Sequence, residues 1–248
     1  MPEALIDRMR PHVDKTIASL ERKEFRIDPI AGETYSRATS IVSAAYKRHG
    51  SILERSLRER LSDCDYFTVW HEPKFQIPSE VDHVVSSRNS EIGNSLPVEM
   101  PYRPGARTLQ VDAFVFDRRV KTLRAYELKR GNGEFDSGKK RSILRDVLSI
   151  QCLLKSYGAS VGHQPELVES RLISYYGVRV LPDPLNIFGV DLDDHFVFRV
   201  RDPIEEVNAY FQEQLYSLLA RVSGLSDAEM ASFCPACPLH NSDDAALH

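Results

Sequence analysis

Apolar side chains fall along this chain in two rhythms, and the switch between them marks out its elements. Helical spacing comes first. Residues 3–24 are charged with a moderate helical stripe, which predicts an N-terminal helix lying on the body of a domain. Over 36–62, Leu53, Leu57 and Leu61 recur every four residues on one stripe, and Gly50 marks an expected break between two helices. From Trp70 to Gly105 the pattern dissolves into strand-like pieces and turn residues, the look of elaborated loops that carry specificity and read a target.

Strand character then takes over. Residues 109–116 (LQVDAFVF) and 122–129 (TLRAYELK) flank a short polar connection at 117–121, so the two runs should pair antiparallel. A Gly-rich loop at 131–138 leads into a helix over about 139–156, with further strands expected at 171–180 and 194–201. The last helix, 203–222, has start signals: Asp202 at the cap, Pro203 in the first turn, then Glu205 and Glu206 near the positive end of the dipole. This order predicts an α/β fold, a central mixed β-sheet flanked by helices on both faces. One domain is expected over 1–225, with its core at about 36–201, followed by a polar tail over 226–248.

Composition narrows the class. At 248 residues the chain suits one large domain, and a net charge of −4 argues against a uniformly basic coat, so any polyanion site must be a local patch. No apolar run approaches a membrane span, and the start lacks a basic-then-apolar signal segment. Four cysteines in this length do not make a disulfide framework, and a reducing cytoplasm fits. The local patch lies at 118–155, where eleven basic side chains face four acidic ones, a balance of +7. Arg130, Lys139, Lys140, Arg141 and Arg145 belong to it; Lys139 and Lys140 open a helix whose N-terminus favours phosphate.

The candidate chemistry sits on the paired strands. Asp112 interrupts an apolar run and would be costly to bury uncompensated. Glu127 and Lys129, two apart, point to one face, and tight pairing can bring Asp112 beside Glu127. Two acids held together repel, and a hard divalent cation resolves the conflict. The bland alternative is a salt-bridged sheet with Asp112 exposed and Glu127 paired to Lys129.

Val111-Asp112-Ala113 with Glu127-Leu128-Lys129, the two acids separated by fourteen residues, resembles the signature of the PD-(D/E)XK nuclease superfamily over about residues 45–157. The resemblance implies a restriction-endonuclease-like fold and Mg²⁺ (with Mn²⁺ able to substitute) held by Asp112, Glu127 and the Leu128 carbonyl, with Lys129 activating the attacking water. It also implies DNA as partner and, for double-strand cutting, a homodimer. His49-Gly50-Ser51-Ile52-Leu53-Glu54 resembles a pattern that places an extra acid, here Glu54, on the preceding helix; the competing reading pairs Glu54 with Arg58 at i+4. Gln151 falls in the buried stripe of the next helix and, by resemblance, contacts the metal-site carboxylates or the lysine. The expected activity is an endonuclease of restriction or genome-defence type, with a repair-type exonuclease as alternative.

Two other readings compete. Residues 133–139 match G-x-x-x-x-G-K, as in a nucleotide-binding phosphate loop, but Lys140 stands where Ser or Thr should follow. A non-catalytic nucleic-acid-binding module would have little need for all three of Asp112, Glu127 and Lys129. Cys234-x-x-Cys237 with His240 has half of a zinc site's spacing, and a tail with free thiols is the preferred reading.

Overall fold

Residues 117–121 make the tight connection their polarity demands, with Lys121 turned into the left-handed region at φ 47°. On either side run β2 (Arg107–Asp117) and β3 (Thr122–Lys129), antiparallel from Asp117↔Thr122 to Ala113↔Tyr126. The computed structural model describes residues 3–88, 98–131 and 133–223, so the tail with Cys234, Cys237 and His240 lies outside the described residues.

The remaining elements are α1 (Leu5–Glu21), α2 (Gly32–Leu61), β1 (Phe67–Ile77), α3 (Ser79–Arg88), α4 (Ser137–Ser160), β4 (Leu167–Ser174), β5 (Asn186–Phe188), α5 (Leu192–Phe196) and α6 (Arg201–Ser223). The sheet order is β1-β2-β3-β4-β5. The first three strands form an antiparallel meander, α4 crosses back so that β4 runs parallel to β3, and β5 adds a short parallel edge. This is an α/β architecture on a mixed five-stranded sheet, as the element order predicts.

On one face, Phe114, Phe116, Leu123 and Ala125 pack with Ile150, Leu153, Leu154 and Tyr157 of α4. The opposite face is met by α5: the Phe196 ring lies 5.4 Å from Tyr126 and 6.1 Å from Phe67. Because β2 is covered on both sides, its residues from Val111 to Asp117 are all buried. That explains its continuous apolar run rather than strict alternation.

The described chain falls into two compact units. One holds residues 3–9 with Gly50–Val207 and contains the sheet; the other holds Arg10–His49 with 208–223. The second unit buries Val13, Ile17, Leu20, Ile41, Phe211 and Leu218, and its His49 Nε2 lies 3.1 Å from Asn208 Oδ1. Among the described residues no helix is long and apolar enough to cross a membrane.

Four expectations change. The predicted break at Gly50 is absent: α2 runs unbroken, carrying the glycine at a modest propensity cost. The irregular stretch from Trp70 contains an edge strand, β1, and a helix, α3, although residues 89–97 lie outside the described residues. The strand expected at 171–180 begins at Leu167 and stops at Ser174. The strand expected at 194–201 is instead α5 and a turn, because Val197 adopts φ 51° and Asp193 Oδ1 accepts from the amides of Val200 (2.6 Å) and Arg201 (2.8 Å). Asp193 thereby starts α6, and Asp202, the expected cap, lies inside the first turn.

One partly buried pair on the α5 side gives a pH-dependent stability. His195 Nε2 lies 2.7 Å from the Tyr126 hydroxyl. Burial, with Arg171 and Arg124 nearby, pushes the His195 pKa down to about 4. The unfolded chain takes up this proton near pH 6.5 and the folded chain only near 4, so acid favours unfolding between them. The contribution is complete above about pH 6.5 and is lost as pH falls through 4. We expect urea midpoints to show wild type losing on the order of 2 kcal/mol relative to His195→Gln between pH 7 and pH 4. Parallel curves for the two proteins would remove His195 from the acid transition.

Candidate active site

Asp112 lies where the β2 ladder goes out of step. Pairing with β1 shifts register between Trp70 and Glu72, so that Glu72 stands opposite Val111 rather than Asp112, and pairing with β3 ends at Ala113↔Tyr126. The side chains fill the gap. Asp112 Oδ2 accepts from the amide of Leu128 at 2.8 Å, in place of a backbone partner. Arg58 Nη1, from α2, donates to the Asp112 carbonyl at 2.7 Å. Gln110 Nε2 approaches Asp112 Oδ1 at 3.3 Å. Asp112 is buried (5 % exposed) and compensated, not exposed as in an ordinary salt-bridged sheet.

Continuing the β2–β3 register by one step sets Asp112 opposite Glu127, and directly opposed residues share a face. Glu127 and Lys129 follow on that face, and Lys129 Nζ donates to Glu127 Oε1. The Lys129 carbonyl is taken by the amide of Tyr175 at 2.9 Å, on the β4 side. Strand alternation therefore turns the Leu128 carbonyl to the β2 side, beside Asp112. Gly131, at φ +66°, ends the strand; a Cβ there would lie 3.1 Å from Ser174 Cβ.

The electrostatics report how closely these groups gather. Burial pushes the Glu54 pKa up to about 7, Asp112 and Glu127 adding to the rise against Lys129 and Arg58. Burial, then Asp112, also raises Glu127 against the pull of Lys129. For Lys129, burial works against the ammonium, but Glu127, Asp112 and Glu54 outweigh it and hold its pKa above the usual value. So Asp112, Glu127, Lys129 and Glu54 share one site. Glu54 looks into it, as its place near the leucine stripe predicts, while Glu59 turns away to Arg8 (3.5 Å) and Arg55 (3.6 Å).

Among the described residues no three His, Cys, Asp or Glu side chains gather tightly enough to cage an ion by themselves. The donors are two carboxylates and a main-chain carbonyl, all hard oxygens. That set fits Mg²⁺, which keeps several waters and binds through one or two carboxylates.

Gln151 is placed elsewhere. Its Nε2 donates to the Val168 carbonyl at 2.9 Å and its Oε1 accepts from the Ser170 amide, so it holds β4 rather than the acids or the lysine. The reason is the short β5, which pairs only with Leu172 to Ser174 and leaves the earlier part of that edge open; the amide supplies the missing donor and acceptor. Replacing Gln151 by Leu should cost about 2 kcal/mol of stability and leave the site's chemistry intact. Denaturation and activity measured on the same sample check this; lost activity at full stability would return Gln151 to the site.

The basic segment is only partly arrayed as the sequence suggests. Lys139 and Arg141 are exposed on the first turns of α4, and Lys140 and Arg145 are partly covered. Arg130 lies over the Tyr176 ring at 5.6 Å. The N-terminus of α4 is not open to phosphate: Asp136 caps it, its Oδ1 accepting from the Lys139 amide at 2.9 Å. The same carboxylate occupies the position a nucleotide phosphate would need in the G-x-x-x-x-G-K reading. Cys64 and Cys152 are buried free thiols.

Sequence reasoning missed Gln110 and Asp146, and gave Arg58 only as a partner for Glu54, not for the Asp112 carbonyl. Arg58 sits one helical turn beyond Glu54, and Gln110 two residues before Asp112, so both were legible as neighbours of marked acids. Asp146 was hidden among basic residues; its Oδ1 accepts from Arg107 Nη1 at 3.0 Å, and its charge reaches Glu127. Compared with known proteins, the chain matches no family model, no curated protein and no solved structure.

Proposed function

We propose that this chain is a Mg²⁺-dependent DNA phosphodiester hydrolase, an endonuclease of restriction or genome-defence type. The observation that carries the reading is the convergence of Asp112, Glu127, Lys129 and Glu54 where β2 and β3 part. A Mg²⁺ ion held by Asp112, Glu127 and the Leu128 carbonyl would polarise the phosphoryl group and lower the pKa of a bound water. Lys129 supplies a fixed positive charge for a developing phosphorane-like centre, and its bond to Glu127 keeps the ammonium aimed. Glu54, titrating near neutrality, is suited to accept a proton from the attacking water. Lys139, exposed on the first turn of α4 and lining the same pocket as Glu127, suits the approaching backbone.

The test is incubation of supercoiled plasmid and linear duplex with the protein and Mg²⁺ or Mn²⁺. Nicking or linearisation of the circle supports the endonuclease reading; digestion of the linear form alone supports the exonuclease; inert DNA in both forms sinks the proposal.

A further inference from the structure

Beside Glu127, between β2 and the first half of α4, lies a cavity of about 220 Å³. Its walls are aliphatic, from Leu109, Ile143, Val147 and Ile150, and its polar groups include Gln110 and Asp146. We propose that this cavity receives one nucleobase next to the scissile phosphate, and that it selects guanine over thymine. The inference rests on the hydrolase reading above and specifies its substrate: DNA whose base at the cut is unpaired or turned out of the stack.

The size and lining carry the first half. The cavity is smaller than the 300–1,000 Å³ typical of pockets for drug-sized ligands, and suits one flat ring system rather than a larger molecule. Aliphatic walls can take the two faces of a base, as in enzymes that act on extruded nucleotides. Glu127 belongs to both the cavity and the candidate metal site, so a base seated here leaves its own phosphate within reach of the reacting groups. Lys139, on the rim, meets the backbone as it enters.

The polar edge carries the second half. Gln110 spends its amino group on Asp112 Oδ1, which leaves its carbonyl oxygen to accept. Asp146 is an acceptor held in place by Arg107, which also pairs with Asp82 at 2.7 Å. Two acceptors call for a base edge rich in donors. Guanine offers a ring N–H beside an amino group, a match for one carboxylate, whereas thymine presents carbonyl oxygens that an acceptor pair repels.

The experiment measures binding of dGMP, dTMP and base-free deoxyribose 5-phosphate to the full chain by calorimetry, with Ca²⁺ in place of Mg²⁺. We expect dGMP to bind at least about tenfold more tightly than dTMP, and the base-free sugar phosphate to bind no better than dTMP. Val147→Phe, which fills the cavity, should bring dGMP down to the affinity of the sugar phosphate while leaving the latter unchanged. Asp146→Asn, a smaller change that leaves Arg107 its Asp82 partner, should erase the preference for guanine. Equal affinities for all three compounds, or a Val147→Phe protein that still prefers dGMP, would overturn the inference. The two readings fail separately: selective dGMP binding without DNA cleavage removes the hydrolase, and cleavage without any base preference removes the base pocket.

Discussion

Lys129→Ala should lower the single-turnover rate of DNA cleavage by about a thousandfold, and Asp112→Asn should lower it at least as far. Lys129 is the cation that three half-buried or buried acids share, and its removal leaves Glu127, Glu54 and Asp112 without the charge that balances them. Without the ammonium the Glu54 and Glu127 pKa values should rise further, any divalent ion bound there should weaken, and the fixed charge proposed to face the phosphate is gone. Asp112→Asn separates charge from shape. Its amide oxygen can still accept from the Leu128 amide, so the strand junction persists while the proposed metal ligand loses its charge. Circular dichroism melts should therefore stay near wild type while cleavage disappears. If either variant cuts DNA at a wild-type rate, the site has another purpose.

Phe114→Ala should cost about 3–5 kcal/mol of folding stability, a large share of the 5–15 kcal/mol of a typical domain. Phe114 is fully buried and sits two residues from Asp112 on the face covered by α4. Its ring centroid lies 4.8 Å from Tyr157, 5.3 Å from Trp70 and 5.8 Å from Phe75, and Trp70 Nε1 in turn donates to the Tyr157 hydroxyl at 3.0 Å. Rings pinned in this way cannot collapse into the void, so the cavity term adds in full to the lost burial. Urea denaturation at pH 7 measures it, and a loss under 1 kcal/mol would mean that the cluster repacks. Since Phe114 also sets the strand that carries Asp112, the folded fraction of this variant should bind Ca²⁺ more weakly.

Local rules were enough wherever one residue type met one physical demand. The apolar run at 109–116, the short polar connection and the run at 122–129 determined the β2–β3 hairpin, because tight connection and burial leave antiparallel pairing as the only way to satisfy the backbone. Period-2 geometry put Glu127 and Lys129 on one face, and helical geometry turned Glu54 rather than Glu59 toward them. Signals that depend on partners distant in sequence were not legible. The amide of Gln151 sits in an apolar helical stripe, but its function depends on how short β5 is, which nothing near residue 151 records. Residues 194–201 look like a strand, yet Asp193 draws the amides of Val200 and Arg201 into a helix start. The register slip at Asp112, and Arg58 reaching its carbonyl, likewise arise only when α2, β1 and β3 are assembled around one carboxylate. Sequence thus determined which acids and which lysine form the candidate site, because periodicity acts within a single element. Tertiary structure decided what holds them there, because a buried polar group takes whichever partner the whole fold brings within reach.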